Sequence, residues 1–164
     1  GLIKEKRFHD NIKGLFNPVK CYGKGVIGYI EREEIEVRSE YIDRWKVFTA
    51  RANNIGTELN DDNFNTIIGT PNTICTETYL VIGADLNLNS NSANNLSIYL
   101  KTKFSRYLHS LAKSSQDAAR NTYRFIPLQN FDEDGDINWS VSSHDIDLQL
   151  YKKYRLSDEE IENI

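Results

Sequence analysis

The chain has 164 residues, 39% hydrophobic and 27% charged, with a formal net charge of −4. That length suits one domain and buries roughly 70% of the unfolded surface without disulfide or metal staples. Cys21 and Cys75 are the only cysteines. They form no Cys-x-x-Cys pair and have no histidine clustered beside them, which excludes a zinc site on ligand count and points to buried free thiols in a reducing compartment. No run approaches the roughly 18 apolar residues of a membrane span, and residues 1–7 contain no apolar signal core, so a cytoplasmic protein with no membrane partner is expected. Methionine is absent, position 1 included, so Gly1 does not read as a translation start and the chain is expected to be a fragment of a longer protein.

In chain order, Val26, Ile27, Tyr29 and Ile30, with Gly23, Gly25 and Gly28 around them, predict a short strand after a glycine turn, and Ile35 and Val37 predict a hairpin arm paired with it. Residues 39–44 suit one helical turn leading into an apolar strand over 45–50. The polar run 53–65 contains Gly56 and has no apolar period, so it reads as a loop. Ile67 and Ile68 begin another strand, broken at Gly69 and Pro71. Residues 76–82 contain Tyr79, Leu80, Val81 and Ile82, apolar on both alternations, which predicts a strand buried on two faces.

A helix is predicted over 93–113, with Ser92 as its N-cap, because Leu96, Leu100, Phe104, Tyr107, Leu108 and Leu111 recur at three and four and fall on one stripe at about 100° per residue. Lys101, Arg106, His109 and Lys113 are expected to project away from that stripe. Ser114, Ser115, Gln116 and Asp117 interrupt the period before a strand-like run over 123–126, ended by Pro127. Asp132, Asp134, Asp136 and Asn138 with Gly135 resemble the start of a calcium loop, but the sixth and twelfth positions are Ile137 and Ser143 where that loop requires Gly and Glu, so a solvated acidic turn is the reading. Trp139, Ile146, Leu148, Leu150 and Tyr151 supply apolar anchors. Ser157 and Glu160 spell a capping box opening a terminal helix over 158–164.

Charge is segregated along this order. Lys101, Lys103, Arg106, Lys113, Arg120 and Arg124 stand against Asp117 alone, a net of +5, whereas residues 131–164 carry a net of −7. Cations gathered on one element attract a polyanion far better than the same cations scattered, so the low overall charge does not argue against nucleic acid. Gln116, Arg120 and Asn121 stand in or beside the polar turn that follows the basic helix. Arginine grips guanine O6 and N7, and glutamine or asparagine bonds adenine in the same bidentate way, whereas lysine mostly holds phosphate. The same turn also reads as a plain surface connection. Lys46, Arg51, Asn53 and Asn54 form a second candidate set, leading from a strand into the long polar loop.

Catalytic patterns are lacking. There is no Gly-x-Gly-x-x-Gly or Walker loop, and His9, His109 and His144 show neither metal-ligand spacing nor a neighbouring nucleophile motif. No acidic residue is followed by the Glu-x-Lys or Asp-x-Lys triplet common in metal-dependent nucleases. No catalytic residue, metal or cofactor is therefore assigned to this chain.

Residues 23–31 (Gly-Lys-Gly-Val-Ile-Gly-Tyr-Ile-Glu), 45–50, 71–83 (Pro-Asn-Thr-Ile-Cys-Thr-Glu-Thr-Tyr-Leu-Val-Ile-Gly), 99–111, 116–128 and 150–164 occur in an order that resembles the C-terminal region of bacterial N6-adenine DNA methyltransferases of restriction-modification systems. The likeness spans nearly the whole chain, including Gly1 and Leu2; the acidic stretch 132–136 departs from the pattern. In such proteins this region follows a methylase domain carrying the S-adenosylmethionine site and an Asn-Pro-Pro-Tyr motif. Neither is in this sequence, where Asn17-Pro18 continues into Val19-Lys20. The resemblance implies a target-recognition domain, similar in role to a TaqI-like specificity domain. It would clamp double-stranded DNA while the methylase domain of the parent chain extrudes adenine, whose N6 is out of reach inside the stack.

The expected architecture is therefore α+β, a mixed, largely antiparallel sheet packed against one long helix, with a short C-terminal helix and a single domain over 1–164. Lys101, Lys103, Arg106, Lys113, Arg120 and Arg124 are expected on the phosphate side. Gln116, Arg120 and Asn121 are the candidate base readers. Two rival classes remain: a module docking the methylase onto a partner subunit, and a nuclease fragment of the same system, the parent itself possessing or lacking endonuclease activity.

Overall fold

The computed structural model describes residues 7–51, 66–112 and 120–164. The fold is α+β, with two small, mainly antiparallel sheets and four α-helices among these residues. Strand β1 (Pro18–Gly23) pairs antiparallel with β2 (Val26–Glu31) and parallel with β5 (Thr73–Cys75). In the second sheet β3 (Lys46–Ala50) lies between β4 (Thr66–Gly69) and β6 (Tyr79–Ile82), antiparallel to both. Cys21 is buried, Cys75 is half-buried, and both are free thiols.

The hairpin arm preceding β2 was missed. β1 pairs Gly23 with Val26 across Lys24 and Gly25, and Gly25 (φ +67°) supplies the positive φ that a two-residue turn needs. Ile35 and Val37 are not a strand. Ile35 instead closes a 3-10 turn over Arg32–Glu34, and a second such turn covers Ser39–Tyr41. The long apolar segment after Pro71 is shared between the two sheets. Thr76 turns the chain, its N–H donating to the Tyr22 carbonyl at 2.9 Å, so β5 and β6 join different neighbours. Among the described residues β6 is consequently an edge strand, with Val81 42% exposed. The strand enclosed on both faces is β3, where Val47, Phe48 and Thr49 are all 0% exposed.

The predicted long helix is two helices, α1 (Ser90–Lys101) and α2 (Lys103–Ala112). Asn89, not Ser92, is the N-cap of α1. Its side chain accepts the Ser92 N–H at 2.9 Å, and the Ser92 hydroxyl returns the favour to the Asn89 N–H at 2.8 Å. The break falls at Thr102, whose ψ of 152° is extended. Its hydroxyl donates to the Tyr99 carbonyl at 2.6 Å and accepts the Ser105 N–H at 3.2 Å, so one side chain ends α1 and starts α2. Asp147 completes the new start by accepting the N–H groups of Lys103 (3.2 Å) and Phe104 (3.0 Å). First-turn amides have no intrahelical partner, and a carboxylate also complements the positive end of the helix dipole. Burial raises the Asp147 pKa, and these two amides partly oppose that shift.

Helix α3 (Ser143–Lys153) supplies Asp147 and was not predicted; of the apolar anchors expected in it, Ile146, Leu150 and Tyr151 are buried, whereas Leu148 faces solvent at 48% exposure. Ser142 caps it by accepting the Asp145 N–H at 3.1 Å, and Ile146 and Leu150, one helical turn apart, are both 0% exposed. Each such side chain contributes roughly 1.5–3 kcal/mol through burial. Tyr99 is the hub of the helical core. Its ring lies 5.7 Å from Phe131 and 5.6 Å from Trp139, and its hydroxyl donates to the Pro127 carbonyl at 2.8 Å. The capping box at Ser157 and Glu160 opens α4 (Asp158–Glu162) as expected. Residues 123–126 form no strand; Arg120–Tyr123 is a 3-10 turn, and the Ile126 N–H folds back to the Tyr123 carbonyl at 3.1 Å.

Candidate nucleic-acid interface

The basic residues between 101 and 124 do not form one exposed row. Lys101 and Lys103 are exposed on either side of buried Thr102. Arg106 and His109, expected on the outer face of the helix, are buried at 9% and 1% exposure, so part of the charge faces inward. Arg120 and Asn121 begin the 3-10 turn. Lys113 and Gln116 lie outside the described residues, as do Asn53, Asn54 and the polar loop.

The polar inner face of α2 has a positioning role. His109 Nε2 lies 2.9 Å from the Thr122 hydroxyl, and the imidazole stacks on the Tyr123 ring at 4.3 Å. Tyr123 in turn places its hydroxyl 3.2 Å from that of Thr49 on β3. This chain of contacts brings Arg124, one residue after Tyr123, to the same open groove as Arg51, two residues after Thr49. Arg51 is half-buried, its backbone N–H donating to the Thr78 carbonyl at 2.9 Å. Arg124 is exposed, with its guanidinium carbon 4.7 Å from the centre of the Phe125 ring.

The groove has a volume of about 790 Å³ and runs along β6, with Tyr79 and Val81 in its lining. Arg38, Arg51 and Arg124 contribute three cations, against the carboxylates of Glu77 and Asp85. Arg38 was in neither candidate set. Its signal was weak in the sequence because Glu33, Glu34, Glu36 and Glu40 surround it, and charge summed over a window hides a single protruding cation.

The loop carrying Arg38 is braced at its ends. Arg32 donates to both carboxylate oxygens of Asp43, at 2.8 and 2.9 Å, and to the Asn72 side chain at 2.8 Å. The Arg32 guanidinium holds the Asp43 carboxyl below its usual pKa. Lys46 anchors the returning arm by donating to the carbonyls of Tyr41 (3.0 Å), Ile42 (2.8 Å) and Thr70 (3.4 Å). Lys46 is therefore not the surface contact that its sequence position suggested. It is 2% exposed, its three N–H donors are directed at carbonyls, and burial lowers its pKa to about 8.

A second cavity, of about 390 Å³, lies between the sheets beside Lys46 and is lined chiefly by Ile30, Ile42, Phe48 and Ile74. Its mouth also takes the charged side chains of Arg7, Glu34, Glu36 and Arg38, so the cavity and the groove share Arg38. Among the described residues no group of three or more His, Cys, Asp or Glu is arranged to hold a metal ion, and no helix is long and apolar enough to cross a membrane. In the acidic turn, Asp136 pairs with Lys153 at 2.7 Å.

Comparison of the chain with protein-family models, curated proteins and solved structures finds no match.

Proposed function

We propose that this chain is a sequence-specific recognition domain for double-stranded DNA, serving an S-adenosylmethionine-dependent N6-adenine methyltransferase of a restriction-modification system. The observation that carries the reading is the meeting of Arg51 and Arg124, 73 positions apart in sequence, on one open groove that also takes Arg38. Guanidinium groups supply charge for phosphate and a planar fork for base edges, and an open groove admits a polymer where a closed pocket would admit only a small molecule. Exposed Lys101 and Lys103 add sequence-independent attraction. The family resemblance gives the adenine-methyltransferase context, with the cofactor and the chemistry on the methylase domain of the parent chain.

The test is binding of the chain to duplex DNA, followed by fluorescence anisotropy across a salt series. With about four phosphate contacts, log K falls against log salt with a slope of about −3.6. A flat salt response, or equal affinity for duplex DNA and an uncharged polymer, refutes the reading.

A further inference from the structure

Arg38 has a left-handed backbone (φ 54°, ψ 39°), a conformation that crowds the β-carbon of any residue except glycine. Among the described residues three other non-glycine residues share a positive φ. Asn72 and Asn87 are of the type that tolerates it. Arg155 follows α3, where the Leu156 N–H returns to the Tyr151 carbonyl at 3.0 Å and closes the helix end. Arg38 terminates no helix and has no side-chain cap, and it opens a single 3-10 turn through the Tyr41 N–H at 3.0 Å. Its exposed side chain makes no ion pair or hydrogen bond among the described residues, although Glu34, Glu36 and Glu40 are near in sequence. The preceding Val37 is 78% exposed. The loop thus presents an apolar side chain and a guanidinium without a partner among the described residues at its tip, while Arg32–Asp43 and Lys46 pin its arms.

We propose that Val37 and Arg38 form a specificity pair that reads base edges in the DNA major groove, Arg38 donating two N–H bonds to O6 and N7 of a guanine and Val37 packing on the methyl group of an adjacent thymine. The proposal rests on the DNA-binding reading above and goes further by naming the readers and the bases. A phosphate contact needs charge alone; it has no use for an exposed valine or a strained, braced backbone. A base edge needs a fork held in a fixed direction, and the thymine methyl is the apolar feature that the major groove offers. Strain kept at an exposed position where glycine would relieve it is the pattern expected of a residue retained for contact with a ligand.

The experiment selects preferred duplexes from a randomised library with the wild-type chain, then compares Arg38→Ala, Arg38→Lys and Val37→Ala on the winning site. Thermal melting and circular dichroism establish that each variant is folded. The wild type is expected to prefer a guanine beside a thymine. Arg38→Ala loses about 10- to 100-fold on that duplex, with preferences elsewhere unchanged, and 7-deazaguanine, which lacks the N7 acceptor, weakens the wild type but not Arg38→Ala. Arg38→Lys keeps the salt slope and loses the guanine preference. Replacing the thymine by uracil weakens the wild type and leaves Val37→Ala unaffected. A uniform loss for Arg38→Ala on every duplex, with the salt slope shallower by about 0.9, makes Arg38 a phosphate contact and overturns the pair, as does unchanged binding. Binding by the wild type without a guanine preference also overturns the pair alone. No binding by the wild type overturns the function proposed above, and the pair with it.

Discussion

The hydroxyls of Thr49 and Tyr123 meet at 3.2 Å, and this bond ties the central strand β3 to the 3-10 turn that follows α2. Arg51 and Arg124 flank the bonded residues, so it helps set the separation of two cations across the groove. Tyr123→Phe removes the bond but keeps the ring that stacks on His109. The variant is expected to lose about 0.5–1.5 kcal/mol in urea unfolding. An unchanged denaturation midpoint would show that the bond does not brace the turn.

Lys46 offers a pH test. Burial lowers its folded-state pKa from 10.5 to about 8, so between these values the unfolded chain binds more protons at this group than the folded chain does. Stability contributed by Lys46 therefore rises with pH across that window and is flat below it. The Tyr41 and Ile42 carbonyls also accept the N–H groups of Arg44 (3.2 Å) and Asn72 (2.9 Å), so Lys46→Met leaves neither of them without a donor. Wild type minus Lys46→Met, measured by denaturant titration at a series of pH values, is expected to shift in favour of the wild type from about pH 8 upward. A pH-independent difference would contradict the assignment.

Asp147 serves two amides at once, and alanine leaves both without that acceptor at the start of α2. Asp147→Ala is expected to cost about 2 kcal/mol, in line with hydrogen bonds to a charged group. Asp147→Asn retains one acceptor oxygen and should recover part of the loss. Equal melting temperatures for Ala and Asn variants would argue against the capping role.

Gly28 has no room for a methyl group. A β-carbon there would come 2.2 Å from the Phe8 ring and 2.6 Å from the His9 carbonyl oxygen. The ring could swing aside, but the carbonyl is fixed by accepting the Tyr29 N–H at 2.8 Å. Gly28→Ala is expected to destabilise the fold by about 1–3 kcal/mol, read as a lower denaturation midpoint. Amide exchange should locate the loss at the His9–Tyr29 bridge.

Arg38→Gly separates stability from recognition. Relief of the left-handed strain, offset in part by the greater freedom of glycine in the unfolded chain, is expected to stabilise by about 0.5–1 kcal/mol. The same variant should bind its preferred duplex more weakly. A stabilised variant with undiminished affinity would separate the strain from function.

The local chemistry of this fold was more legible than its long-range pairing. Repetition at three and four marked the buried faces around Leu96, Leu100 and Phe104, although Leu111 at the end of the same stripe is 57% exposed, and the Ser157–Glu160 pair located α4. Periodicity could not reveal the break at Thr102, because an apolar stripe carries across it and the decisive acceptor, Asp147, is more than forty positions away. Likewise an unbroken apolar run at Tyr79–Ile82 does not say how many neighbours the strand has, and among the described residues β6 has one. For the candidate interface, charge segregation singled out Arg124 and the strand-to-loop position singled out Arg51, but neither could place Lys46 or Arg106 inside, since a lysine saturated by carbonyls looks the same in sequence as one in water. Arg38 was concealed by its acidic neighbours.

The interruption at Thr102 also changes how its two neighbours face the solvent. In an unbroken helix, residues two apart point about 200° away from each other. The extended backbone at Thr102 breaks that relation, and both lysines are exposed on either side of the buried threonine. A threonine hydroxyl that ends one helix and begins the next thus also fixes the direction in which each neighbouring ammonium leaves the backbone, and its loss would redirect both without removing either charge.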